Sequence, residues 1–93
     1  MTQESYRVRT DVRYRLIREE AVVLKQEEGE TLVLNEVASR ILQLLEEEKS
    51  VEEIAELLLA EFEVEPEDLL ADVASFTTEL IEAGIVEPVE LER

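Results

Sequence analysis

Gly29-Glu30-Thr31-Leu32-Val33-Leu34-Asn35 decides how this chain is read. Glu27-Glu28-Gly29-Glu30 is a polar turn in which Gly29 is free to take positive φ. Thr31 to Leu34 is a short β-prone run, and Asn35 ends it with a side chain suited to cap a helix. The stretch therefore reads as strand three of a small sheet, followed at once by a helix.

Upstream, Val12, Tyr14 and Leu16 alternate with Arg13 and Arg15 between Asp11 and Arg18, the period of a half-buried strand. Ala21 to Leu24 is a short apolar run fit for a second strand, which pairs with strand three as a hairpin. Downstream, Val37, Ala38, Ile41, Leu42, Leu44 and Leu45 recur at helical spacing and give helix one an apolar face. Ser50 and Glu53 match a capping box, and helix two would bury Ile54, Leu57, Leu58 and Phe62. Pro66 suits a first helical position, with Glu67 and Asp68 at the positive end of the dipole. Leu69, Leu70, Val73, Phe76, Thr77, Leu80 and Ile81 carry the apolar face of helix three, and Gly84 fits its left-handed close. Ile85 and Val86 then pack back as an extended tail, and Pro88 discourages further structure. The expected fold is α+β: a three-stranded antiparallel sheet followed by three helices, in the manner of a winged helix-turn-helix.

At 93 residues the chain is one domain with one modest core. Residues 1–10 are expected to be a flexible polar start, 11–88 the domain and 89–93 a tail. There is no cysteine and no histidine, which removes disulfides, thiolate nucleophiles and the commonest general base and metal ligand. No long apolar run or signal-peptide pattern occurs, so a cytoplasmic location is the expectation.

Net charge is −16, and it is uneven. Residues 1–25 carry six basic side chains against four acidic ones; the rest carries 21 acidic against three basic. Such a surface repels phosphates, which argues against nucleic acid and an anionic membrane as partners and favours a basic peptide. Between Glu65 and Gly84 there is no Arg or Lys, so helix three is not a base-reading helix. Its solvent side would carry Glu67, Asp68, Asp72 and Glu79.

Carboxylates at helical spacing, such as Glu52 with Glu56 and Asp68 with Asp72, are abundant, but nothing supplies the cleft a hydrolase needs. The Glu27–Glu30 turn lacks the length and spacing of a calcium loop. Two distant glycines make no phosphate loop. Ser39, Ser50 and Ser75 lack the context of a carrier-protein serine. Neither catalysis, a metal nor a cofactor is expected. What remains is recognition. An exposed edge on strand three can take an extended peptide, and a groove between it and helix three would have an apolar floor and an acidic rim. Any one of Leu69, Val73, Phe76 or Leu80 is more simply explained as core.

The series Leu34-Asn35, Ile41, Ser50-Val51, Glu53-Ile54, Phe62, Val64, Asp72-Val73, Phe76, Leu80 and Gly84-Ile85-Val86 resembles the PqqD-like family over residues 12–88. These are recognition elements for ribosomally synthesised, post-translationally modified peptides. The resemblance implies that the chain binds the leader of a precursor peptide as an added strand and delivers it to a leader peptidase or other maturation enzyme. The acidic third helix favours the type found in lasso-peptide biosynthesis, with a leader containing basic residues. A peptide chaperone of pyrroloquinoline quinone biosynthesis is the alternative, and an acidic protein-interaction adaptor a further one. Carried over by position, the peptide-binding residues are Thr31, Leu32, Val33 and Leu34 of strand three, with Asp68, Leu69, Asp72, Val73, Phe76 and Leu80 of helix three. Alternation puts Leu32 and Leu34 on one face of the strand and Thr31 and Val33 on the other.

Overall fold

Strand β4 (Glu30–Leu34) is the edge of a three-stranded antiparallel sheet in the order β2-β3-β4, with β2 at Val12–Ile17 and β3 at Glu20–Lys25. The structure is a computed structural model and describes residues 5–89. Helices α1 (Glu36–Glu46), α2 (Val51–Glu61) and α3 (Pro66–Glu82) follow without another strand between them. This is the expected α+β arrangement of three strands followed by three helices.

Each helix starts where the sequence signals it, α1 and α2 at a capping side chain and α3 at a proline. Asn35 accepts from the Ala38 amide at 2.9 Å. Ser50 and Glu53 form a reciprocal capping box at 2.9 and 3.1 Å, satisfying two amides that the first turn leaves free. Pro66 opens α3, and Gly84 closes it at φ 78°. The Gly84 amide donates to the Ile81 carbonyl and the Ile85 amide to Leu80, the paired bonds of a Schellman motif.

Two features differ from expectation. Residues 5–8, expected within a frayed start, form strand β1 (Ser5–Val8), which pairs antiparallel with β5 (Val86–Val89). Tyr6 enters the core, and Pro88 lies opposite it inside β5 rather than ending the structure. A proline fits there because, among the described residues, β5 has a neighbour on one side only, so a missing amide need cost no ladder bond. The second difference is Leu70, placed by periodicity on the apolar face of α3 but 47 % exposed. The buried stripe runs instead through Leu69, Val73, Thr77 and Leu80.

Leu42, Leu44 and Leu45 of α1, Ile54 and Leu58 of α2, Val73 of α3, Val23 of β3, and Ile85 and Val86 are almost wholly removed from water. Burial of this kind supplies most of the driving force for a domain of this size. Polar links fix how the layers meet. Ser39 on α1 is buried; its hydroxyl accepts from the Ala21 amide at 2.7 Å and donates to the Leu34 carbonyl at 3.0 Å. Ala21 and Leu34 face one another across the β3–β4 ladder, so one side chain pins the helix to the end of that ladder. The Tyr14 hydroxyl donates to Glu46; burial and that carboxylate push the phenol well above its usual range. Arg40 grips both oxygens of Glu61 at 2.8 and 2.9 Å, and that bond holds the Glu61 carboxyl below its usual range. The buried Lys25 stem carries its ammonium out to Glu28 at 2.9 Å and Glu30 at 3.4 Å, closing the β3–β4 turn.

Candidate functional site

Because Asn35 caps α1 directly after β4, the first turn of α1 stands at the end of the edge strand. Facing it is α3, and between them lies an open groove of about 550 Å³. Its base and walls are apolar: Ile41, Leu58, Leu69 and Val73 are buried beneath it, with Val37, Ala38, Val64 and Phe76 half-buried around them. Asn35, Glu65, Asp68 and Asp72 stand exposed among its lining residues, which include no basic side chain. Asp68 and Asp72 are one turn apart on α3 and form no ion pair among the described residues. Two unpaired like charges at that spacing repel, so a cation arriving between them relieves an existing cost.

Strand β4 adds the second component. Its partner is β3 alone, so its other edge offers backbone donors and acceptors without a ladder partner among the described residues. Leu32 and Leu34 turn towards the core, half-buried and packed on it; Thr31 and Val33 turn outward and are exposed. Thr31 to Leu34 carries no charge of the kind that blunts an exposed edge. The opposite edge, β2, carries Arg13 and Arg15 and bounds a separate groove of about 540 Å³ with Gln43 and Glu46 of α1.

Among the residues singled out in the sequence, Asp68, Leu69, Asp72, Val73 and Phe76 meet in the first groove. Thr31, Leu32, Val33 and Leu34 lie along the neighbouring edge, and none of the four lines it. Leu80 does not line it either; it is core at 3 % exposure. Sequence reasoning missed the wall opposite α3, made of Val37, Ala38 and Ile41, and the contributions of Leu58, Val64 and Glu65. The signal for that wall is the Asn35 cap, which forces the first turn of α1 against the end of the strand.

The family described as Coenzyme PQQ synthesis protein D (PqqD) matches residues 20–86, a span that includes β3, β4, all three helices and so the whole groove. The chain belongs to the PqqD family. Two solved structures are similar to this PqqD-family chain over most of its length. TbiB1 in complex with the TbiA(beta) leader peptide is 32 % identical with a TM-score of 0.80, over 87 % of this chain and 94 % of that one. Lasso peptide synthetase B1 complexed with the leader peptide is 32 % identical with a TM-score of 0.81, over 90 % and 99 %. No curated protein matches the chain. No helix among the described residues is long and apolar enough to cross a membrane, and no cluster of acidic residues among them could hold a metal ion.

Proposed function

We propose that this PqqD-family chain binds the leader segment of a precursor peptide and hands it to a maturation enzyme, in a lasso-peptide pathway. The leader pairs as an added strand with the open edge of β4. Its alternate side chains on the helix side run past Leu32 and Leu34 towards the groove. There Val37, Val73 and Phe76 take apolar side chains, and Asp68 and Asp72 take basic ones. The observation that carries this reading is the juxtaposition of the open edge at Thr31–Leu34 with an apolar groove lined by three exposed carboxylates, Glu65, Asp68 and Asp72, in a chain similar over most of its length to two leader-bound proteins. Backbone pairing supplies affinity tolerant of sequence, and the groove supplies selection.

The test is fluorescence-polarisation titration with labelled leader peptides encoded beside this chain, at low and moderate salt. Saturable binding that depends on leader sequence and weakens with salt is the expected result. A folded monomer that binds none of those leaders would leave a general interaction adaptor as the better account. The family description favours one second reading, a peptide chaperone in pyrroloquinoline quinone synthesis. Tight binding to the quinone precursor, and none to a lasso leader, would select it.

A further inference from the structure

The outer face of the sheet, turned away from the helices, is not built as a surface meant only for water. An antiparallel sheet with one wet face normally alternates apolar inward and polar outward. Here two rows cross the outer face side by side, Arg13–Leu24–Thr31 and Arg15–Val22–Val33. Leu24 is 39 % exposed, Val33 64 % and Ile17, at the corner of the same face, 57 %. Six large apolar residues are exposed among the described residues, and three of them, Ile17, Leu24 and Val33, lie on this one face. A contiguous apolar patch with a polar border marks an interaction site more often than a free surface.

The arginines say what the partner carries. In a chain with 25 acidic residues, Arg7, Arg9, Lys25 and Arg40 each meet a carboxylate. Arg13 donates only to the Thr10 and Val12 carbonyls, and Arg15 makes no hydrogen bond or ion pair among the described residues. Two guanidiniums beside an apolar centre, on a molecule this acidic, meet no carboxylate among the described residues. We propose that this face docks a folded protein whose contact surface is apolar at the centre and carries carboxylates over Arg13 and Arg15. A second copy of the same face supplies Glu20 as its one carboxylate, too few for the arginines it would bring. Phosphates would meet two arginines against a net charge of −16.

Val33 belongs to both surfaces, on the outer face and on the β4 edge. A strand added to β4 extends the row Arg15–Val22–Val33 with its own outward side chains. A protein seated on the outer face therefore touches the bound peptide as well, and its affinity reports whether the edge is filled. This last point, and the choice of probe, rest on the leader-binding reading.

The probe is the purified maturation enzyme encoded beside this chain, and its binding is measured by biolayer interferometry with and without leader. Wild type is compared with the double variant Arg13→Glu/Arg15→Glu and with Leu24→Ser, and the same three proteins are titrated with labelled leader. Enzyme binding weakened by about tenfold or more in both variants, with leader affinity within about twofold of wild type, is the expected result. Enzyme binding equal to wild type in both variants would overturn the docking surface and leave leader recognition standing. Loss of leader binding by wild type, with enzyme binding still sensitive to the variants, would overturn the leader reading and leave the docking surface standing. Concentration-dependent self-association of the wild type by sedimentation, abolished by Leu24→Ser, would assign the face to a second copy instead.

Discussion

Glu48 sits at φ 64° just past the end of α1, where its amide donates to Leu45 and the Lys49 amide to Leu44. Those are the bonds of a Schellman close, with a glutamate in the position that glycine fills without strain. A left-handed L-residue costs about 1–2 kcal/mol, partly offset by the greater freedom glycine loses on folding. Glu48→Gly should therefore stabilise the fold by about 0.5–1 kcal/mol, read as a higher denaturation midpoint in urea with an unchanged slope. Arg18, at φ 62° in the two-residue β2–β3 turn, invites the same exchange. Ser39 works in the opposite direction. Ser39→Ala leaves a buried amide at Ala21 and the Leu34 carbonyl without their partner, and should cost about 1–3 kcal/mol in the same titration. At this scale the sequence was legible where a side chain advertises its job, as at Asn35, Ser50, Pro66 and Gly84. It was silent at Arg18 and Glu48, because the backbone there adopts a conformation that its residue disfavours. It was silent at Ser39 too, whose role depends on contacts far along the chain.

Strand β4 is where an element-level test separates binding from folding. Successive residues of a strand aim their amides at opposite edges, so of Leu32 and Val33 one donates towards β3 and the other towards the open edge. Proline at the first position breaks the ladder and lowers stability; at the second it removes a donor that only an added strand would use. Of Leu32→Pro and Val33→Pro, one should melt near wild type yet lose leader binding in polarisation titration, and the other should be destabilised. If both melt near wild type and bind normally, the leader does not pair with this edge. On α3, Asp68→Asn/Asp72→Asn should slow association and flatten its dependence on salt, with little effect on dissociation, measurable by stopped-flow fluorescence. The strand and helix order was readable because each element carries its own period and punctuation. The β1–β5 pair was not: its strands have four residues each, lie 80 positions apart, and become visible as a sheet only once folding brings them together. The groove was half readable for a similar reason. Periodicity marks which residues of α1 are apolar but not that Val37 and Ile41 face α3 across an opening.

Taken whole, the molecule carries a charge of −16 on a small surface, and self-repulsion opposes its compact state. Adding salt from about 20 to 500 mM shortens the screening length from roughly 20 Å to about 4 Å. The melting temperature should rise across that range by several degrees, on the order of 1 kcal/mol for a domain of this length. The few exposed ion pairs lost to screening are worth less than the repulsion removed. A melting temperature that falls with salt would mean that pairs such as Arg40–Glu61 outweigh the net charge. The short ladder between β1 and β5 sets Ser5 opposite Val89, so the described chain leaves and returns at one point. A short linker across that point, with a new opening cut at the turn after α1, would give a circular permutant that keeps every strand and helix intact. The same closeness lets the module be spliced into a loop of a larger protein like a bead on a clasp, both connections on one side and the peptide edge left free.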